Sequence, residues 1–213
     1  MYKPKISKVE LPRWKGIQRR IGITGGIATG KSMVGQFISE IHKLPVLDAD
    51  ILAREALAPG EIATQAVLTR YGNLITQSEN DKNEIIDRSA LAKIIFRDTK
   101  ERLWIERLVH PIIRQKLINK LSNMKNESII ILVIPLLFEA NFTDLCSDFW
   151  VVYCSQEKQV ERLMSRNQTT RSEANLMIHS QWSIRKKKYL ADLLIENSGS
   201  IEELKTQVQE QFR

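Results

Sequence analysis

Short runs of apolar residues alternate along the chain with longer stretches in which apolar residues recur every three or four positions. The short runs predict buried strands, and the periodic stretches predict amphipathic helices between them. Five strands are predicted, the last from the weakest pattern, at residues 21–24, 45–47, 129–134, 149–153 and 193–195. Because strands alternate with helices, the sequence predicts the α/β class, with a doubly wound five-stranded parallel sheet.

The second and third predicted strands are separated by residues 48–128, which carry no strong strand pattern. A plain loop of that length is uncommon in a compact domain. We therefore predict a helical insertion over 51–127. Its apolar spacing predicts helices at 62–71, 89–96, 101–109 and, after a break at His110 and Pro111, 112–121.

A polar stretch over 156–189, between the fourth and fifth predicted strands, has the pattern of basic helices. It contains eight Lys or Arg residues against three Asp or Glu residues. We interpret this stretch as a mobile lid that closes over bound ligands. The remaining segments form the core of a single predicted domain, 21–213, and cover 21–50, 128–155 and 190–213.

The residues from Gly25 to Ser32 read G-G-I-A-T-G-K-S, a complete G-x-x-x-x-G-K-[ST] phosphate-binding loop between a predicted strand and a predicted helix. Its glycines let successive backbone N–H groups converge on one anion, and the positive end of the helix adds to the attraction. Lys31 is expected to reach the β- and γ-phosphates of ATP, and the Ser32 hydroxyl to ligate Mg²⁺. The predicted ATP-binding residues of this loop are Gly26, Ile27, Ala28, Thr29, Gly30, Lys31, Ser32 and Met33.

The charge of the chain is concentrated at its N-terminus. The 213 residues carry a formal net charge of +7, but residues 1–20 hold seven Lys or Arg against one Glu and so account for +6 of it. We interpret 1–20 as a basic, partly disordered extension, and we expect no nucleic-acid partner for the folded body. The hydrophobic content of 43% is enough for one domain with a proper core.

The chain shows no apolar run of membrane-spanning length and no hydrophobic stretch typical of a secretory signal. Cys146 and Cys154 match no zinc or redox spacing, so we interpret both as ordinary thiols. These features predict a cytoplasmic protein without a membrane partner. The sequence leaves the oligomeric state open, and a homo-oligomer is compatible with it.

Motifs that are absent narrow the class of nucleotide-binding protein. The D-x-x-G and N-K-x-D patterns of GTPases do not occur, and neither does the dinucleotide fingerprint G-x-G-x-x-G. The third predicted strand is followed by Pro135 rather than by the acidic residue that serves Mg²⁺ in motor and transporter ATPases. A small-molecule kinase is the class that remains.

Further motifs resemble, in chain order, those of the dephospho-CoA kinase family. They are Asp48-Ala49-Asp50 with Arg54, His110-Pro111, P-L-L-F-E over 135–139, Arg162 with Arg166, and a closing Q…A-D…I-x-N-x-G from Gln181 to Gly199. The resemblance runs from about residue 21 to the C-terminus. Its departures are mild and lie at Ala28-Thr29, Met33 and Trp182-Ser183.

This resemblance implies a P-loop fold of the nucleoside-monophosphate-kinase type. It also implies transfer of the ATP γ-phosphoryl group to the ribose 3′-hydroxyl of dephospho-CoA, the last step of coenzyme A biosynthesis. Under it the expected catalytic residues are Asp50, Lys31, Asp48 and Arg162. Asp50 is the candidate to orient and deprotonate the attacking hydroxyl.

Asp48 has two interpretations. It either acts through Mg²⁺, with Ser32 as the other metal ligand, or it caps the helix that begins near Ile51. Both aspartates are expected on an extended segment, where they alternate and cannot point the same way.

The acceptor and the adenine of ATP have their own expected contacts under the same resemblance. Arg162 is expected over the ATP, and Asn197 and Gly199 against its adenine. The expected substrate-binding residues are Asp50, Arg54, Arg88, Arg166 and Leu136.

The sequence also gives expectations for several residues that are not assigned to the site. His110 is expected to be structural, and Glu139 faces either the ligand crevice or a helix N-terminus. Of the run from Arg185 to Lys188, Lys187 matches a basic position of the family and the others are expected to be solvated.

Two other functions stay open on the sequence. One is a kinase of another small molecule, such as a nucleoside monophosphate. The other, more distant, is a nucleotide-regulated nucleic-acid-binding protein that uses the basic extension.

Overall fold

The structure, a computed structural model, describes residues 10–76 and 85–212. The first nine residues of the predicted extension, a short part of the insertion and the last residue lie outside the described residues. These ranges contain five strands, β1 (Arg19–Gly25), β2 (Val46–Asp48), β3 (Ile129–Val133), β4 (Asp148–Tyr153) and β5 (Leu193–Glu196). They pair in parallel in the order β2-β3-β1-β4-β5. The predicted α/β class with a five-stranded parallel sheet is confirmed.

Helices cover both faces of this sheet. In the described ranges they are α1 (Lys31–His42), α2 (Ala49–Ala56), α3 (Ile62–Tyr71), α4 (Arg88–Arg97), α5 (Thr99–Asn123), α6 (Gln156–Asn167), α7 (Arg171–His179), α8 (Ile184–Leu190) and α9 (Ile201–Glu210). Two short 3₁₀ turns lie at Gly72–Ile75 and Thr143–Leu145. No helix in these ranges combines the length and apolar character needed to cross a membrane.

Strand β3, which lies between β2 and β1, divides the core into two clusters by simple alternation. Ile130 and Leu132 face the larger cluster, which includes the inner sides of α2, α3 and α5. Ile131 and Val133 face the smaller one, against α1 and α9. A strand buried on both faces requires a continuous apolar run, and this requirement explains why the sequence pattern located β3 so well.

The predicted break in the insertion at His110 and Pro111 is wrong. The two predicted helices are one continuous helix, α5, with Pro111 inside it. A proline inside a helix costs roughly 3 kcal/mol because its nitrogen carries no hydrogen and its ring crowds the preceding turn. The helix continues because buried residues every four positions on both sides of the proline pack on the same core. They are Ile105, Val109, Ile113, Leu117 and Leu121.

Part of the predicted N-terminal extension packs on the domain, contrary to the expectation. The Arg13 guanidinium lies 3.9 Å from the centre of the Phe149 ring and pairs with Asp192 at 2.6 Å. The Trp14 backbone N–H donates to the Cys146 carbonyl at 2.9 Å. Strand β1 begins at Arg19 rather than at residue 21. Three of the basic residues that the sequence assigned to a tail, Arg13 and the pair 19–20, therefore belong to the folded body.

The predicted lid consists of α6, α7 and α8. Its interior is a small apolar cluster built from Val160 and Leu163 of α6 and from Ala174 and Met177 of α7. This cluster packs against Ile27 and Ala28 of the P-loop and against Phe96 of α4. The lid therefore contacts both the phosphate-binding loop and the insertion, and its predicted mobility stays a prediction.

Candidate active site

The P-loop connects the carboxyl end of β1 to the amino end of α1. Gly30, directly before α1, has φ +96°, a conformation that residues with a Cβ rarely adopt. A Cβ placed there would lie 2.1 Å from Nδ2 of Asn197, which itself donates to the Thr29 carbonyl at 2.8 Å. Glycine at this position thus leaves room for the side chain that follows β5 to hold the loop in place.

Lys31 begins α1 and is buried against the loop that precedes it. Its Nζ donates to the Gly26 carbonyl at 2.7 Å. Burial lowers the pKa of Lys31 to about 8, and the nearby cation Lys187 adds to the shift, whereas the Asp50 carboxylate opposes it. A phosphate bound beside Lys31 would favour the charged ammonium and raise this pKa.

The lowered pKa of Lys31 predicts a pH dependence of ATP binding. Phosphate binds the charged ammonium, so affinity should fall as pH rises through about 8. We expect the dissociation constant for ATP to rise about tenfold between roughly pH 7 and pH 9, as the charged fraction of Lys31 falls. Titration calorimetry in buffers of different ionisation enthalpy should show proton uptake near pH 8. Lys31→Met should abolish that uptake, and a pH-independent affinity of the unmodified protein would contradict the prediction.

The carboxylates of Asp48 and Asp50 are arranged differently from the prediction. Asp50 lies in the first turn of α2, not on an extended segment. Asp48 ends β2, and its Oδ1 accepts a hydrogen bond from the Asp50 backbone N–H at 2.8 Å. Burial raises the pKa of the Asp48 carboxyl group. Asp48 therefore caps the helix, and this cap turns the chain so that Asp50 is exposed in the cleft beside the P-loop.

Arg162 of α6 lies where the P-loop meets the chain after β5. Its guanidinium donates to the carbonyls of Ala28 at 3.3 Å and of Asn197 at 3.0 Å. Arg166, one turn further along α6, lines the same cleft and helps to lower the pKa of Lys31. Arg162 and Arg166 thus both line the cleft beside the P-loop, and their roles in the reaction stay predictions.

A single cleft of about 1110 Å³ brings most of the predicted site residues together. It extends from the P-loop past α2 to α4 and α5. The predicted residues that line it are Ile27, Ala28, Gly30, Lys31, Ser32, Met33, Asp50, Leu136, Arg162, Arg166, Asn197 and Gly199. Gly26 and Thr29 are buried within the loop itself, where Thr29 Oγ1 donates to the Gly26 carbonyl at 2.9 Å.

The far end of this cleft is apolar. Its wall comes mainly from α2, α4 and α5 and consists of Ala53, Leu57, Leu91, Ile95, Phe96, Ile105, Val109 and Ile113. His110 also lines the wall, with its ring centre 6.1 Å from that of Phe142. Burial lowers the pKa of His110, which favours the neutral ring. The structural role predicted for it stays a prediction.

Arg54 and Arg88 do not line the cleft. Both side chains are exposed, and Nη2 of Arg88 donates to the Arg54 carbonyl at 3.0 Å. Burial lowers the pKa of Arg88, and the charge of Arg54 lowers it further. The two arginines form a pair of neighbouring cations on the insertion, and their contact with the substrate stays a prediction.

Lys187 of α8 has a buried structural role beside the P-loop, which its place in a run of basic residues did not suggest. Its side chain is fully buried, at 0% exposed. Its Nζ lies 2.8 Å from Glu139 Oε1 and donates to the carbonyls of Gly25 at 3.2 Å and Pro135 at 3.0 Å. One cation thereby joins the last lid helix to the carboxyl ends of β1 and β3.

The sequence did contain a signal for this role. The basic run hides the burial of Lys187, but Ile184 and Leu190 lie three positions before and after it, and both pack on the core. Residues three apart share one side of a helix, so this spacing places Lys187 on the inner face. Glu139 also accepts a hydrogen bond from the Trp182 backbone N–H at 3.1 Å, so its carboxylate lies between the strand end and the lid.

The family model and the sequence relatives agree on one family. A family model described as dephospho-CoA kinase matches residues 19–203. The chain is 51% identical over 188 residues to a protein named dephospho-CoA kinase from Prochlorococcus marinus strain MIT 9313, which covers 88% of this chain and 92% of that protein.

Solved structures share the fold. A Thermus thermophilus crystal structure has a TM-score of 0.73 and 29% identity, covering 92% of this chain and 97% of that one. A dephospho-CoA kinase from Campylobacter jejuni has a TM-score of 0.61 and 24% identity, covering 91% and 94%, and supports the fold alone.

Proposed function

The chain belongs to the dephospho-CoA kinase family, and on that premise we propose how its residues divide the transfer of the ATP γ-phosphoryl group to dephospho-CoA. The observation that carries the proposal is the single cleft, which contains the P-loop and Asp50 and continues into an apolar wall. The donor then occupies the P-loop end. The acceptor occupies the α2 and α5 end, with its ribose hydroxyl beside Asp50.

At the donor end, this chain supplies positive charge on several sides of the transferred group. Lys31 lies at the start of α1, and Arg162 and Arg166 come from the lid. Phosphoryl transfer passes through a loose transition state with little covalent help from the protein, so catalysis rests on positioning and charge neutralisation. Asn197 and Gly199 line the same end and are the proposed adenine contacts.

The oxygen donors near the P-loop fit Mg²⁺. This ion keeps several waters and binds one or two protein oxygens together with substrate phosphates. The described ranges contain no group of three or more His, Cys, Asp or Glu able to hold a metal by themselves. The Ser32 hydroxyl and, through water, the Asp48 carboxylate would hold the ion. When bound, Mg²⁺ would neutralise charge on the phosphates.

At the acceptor end, Asp50 accepts the proton of the ribose hydroxyl as that oxygen attacks. Its carboxylate is exposed in the cleft and is close enough to Lys31 to influence the pKa of that lysine. Leu136 lines the same cleft. The apolar wall of α4 and α5 suits the pantetheine arm, which is long and mostly apolar.

A coupled assay of ADP release tests the proposed function. With ATP and Mg²⁺, we expect turnover with dephospho-CoA to exceed that with any nucleoside monophosphate by at least about a hundredfold, since monophosphates lack the arm that fills the apolar wall. The product should carry its new phosphate on the adenosine 3′ position, as phosphorus NMR can verify. Preferred phosphorylation of a monophosphate would instead favour the alternative kinase, and a lack of turnover with dephospho-CoA would refute the proposal.

A further inference from the structure

The apolar wall of the cleft contains a small polar break where α5 meets the end of α7. Arg102 and Glu106 of α5 line the cleft there, together with Ser180 and Gln181 of the lid. Nη1 of Arg102 donates to the Ser180 carbonyl at 2.6 Å, so the two elements are in direct contact. Phe96 and Ile105 also line this cleft.

Two polar atoms in this break are buried and have no hydrogen-bond partner within the described part of the chain. They are Nε of Arg102, a donor, and Oε1 of Gln181, an acceptor. The nearest carboxylate to Arg102, Oε1 of Glu106, is 3.8 Å from Nε and beyond hydrogen-bond distance. Buried polar groups in proteins are almost always paired. An unpaired donor and an unpaired acceptor on two residues that line one cleft therefore point to a ligand that supplies the partners.

A secondary amide supplies both kinds of partner. It offers one carbonyl to accept from a donor and one N–H to donate to an acceptor. The pantetheine arm of dephospho-CoA carries two secondary amides joined by apolar links, and the break is set in an apolar wall of the same cleft. Burial of the apolar stretches of such a ligand is favourable. Burial of its amides costs free energy unless they form hydrogen bonds.

We propose that Arg102 and Gln181 bind an amide of the pantetheine arm and thereby determine the specificity for the acceptor. This inference rests on the proposed function. Because Arg102 also holds Ser180, the arm contacts the insertion and the lid at one point. A ligand with the arm therefore satisfies polar atoms of both elements when the cleft is closed, and an acceptor without it leaves them unpaired.

Steady-state kinetics with two acceptors tests the proposal. The variants are Arg102→Met and Gln181→Leu, and the acceptors are dephospho-CoA and the β-methyl ester of ADP, which keeps the adenosine diphosphate but lacks the arm. Each variant should raise KM for dephospho-CoA about tenfold, as expected for a buried polar group that loses its partner. The kcat, the KM for ATP and the KM for the arm-less acceptor should not change.

Two further measurements test whether the effect is specific to these two residues and to the pantetheine arm. Arg107→Met, an exposed position on the same helix, should leave both acceptor constants unchanged. Inhibition by 4′-phosphopantetheine, which carries the arm without an acceptor hydroxyl, should weaken about tenfold in both variants. Gln181→Leu keeps the test decisive even if Arg102→Met folds poorly.

The possible failures are distinguishable. An unmodified enzyme that does not phosphorylate dephospho-CoA overturns the proposed function and this inference together. An enzyme that does so, but whose variants keep the KM for dephospho-CoA or lose affinity equally for both acceptors, overturns this inference alone. Unchanged inhibition by 4′-phosphopantetheine in both variants also overturns this inference alone.

Discussion

Asp50→Asn should lower turnover about a thousandfold while ATP still binds, because a positioned general base contributes roughly 10²- to 10⁴-fold and asparagine cannot take the proton. The substitution keeps the size of the side chain. Asp50 is exposed at the amino end of α2, so its loss of charge should cost the fold little. The measurement is kcat at saturating dephospho-CoA, together with the dissociation constant for ATP by calorimetry.

Asp48→Asn is the matched control for that variant. Asparagine caps helices about as well as aspartate, so α2 should keep its start and the position of Asp50. Any loss of activity in this control then measures the contribution of the Asp48 charge, which we propose helps to hold Mg²⁺. Near-normal kcat in Asp50→Asn would remove Asp50 as the base, and a loss of ATP binding would reassign it to the donor end.

Lys187→Met should destabilise the protein by about 3–5 kcal/mol, the usual cost of leaving one member of a buried ion pair without its partner. The variant leaves the Glu139 carboxylate between α8 and the strand ends with no cation, and two strand-end carbonyls lose a donor. For a chain of this size the melting temperature should fall by about 10 °C. Thermal unfolding followed by circular dichroism gives the measurement.

The double variant Lys187→Met with Glu139→Gln separates charge from packing. It removes both charges and should recover part of the lost stability, because an uncharged pair has no bare carboxylate to desolvate. Arg185→Met is the surface control on the same helix and should change the melting temperature by less than about 1 °C. A Lys187→Met protein as stable as the unmodified chain would show that the buried pair does not hold α8 in place.

Local patterns located the elements of the sheet well. The P-loop lies between β1 and α1 as expected, and α3 has the predicted bounds. These features depend on residues that are close in the chain, such as a continuous apolar run or glycines at fixed spacing. The strand order β2-β3-β1-β4-β5 involves pairing between distant segments, and the sequence pattern gave the alternation of elements but not that order.

The predictions were wrong where a contact with a distant segment outweighs a local preference of the chain. Pro111 favours a break, but the buried stripe of α5 on the core outweighs it. Arg13 looks like part of a charged tail, but the Phe149 ring and the Asp192 carboxylate bind it from segments far along the chain. In each case the outcome depends on a partner that the local sequence does not contain.

The sequence by itself predicted a nucleoside-triphosphate site in an α/β fold and a resemblance to one kinase family. The chemistry of a P-loop is local, because glycines and one lysine within eight consecutive residues create the anion site. Only the tertiary structure decided that Asp48 caps α2 so that Asp50 stands in the cleft. It also decided that Lys187, outwardly one of four basic residues in a row, is the buried cation that joins the lid to β1 and β3. The role of a charged side chain depends on its burial and its partners, and folding brings those partners from distant parts of the chain.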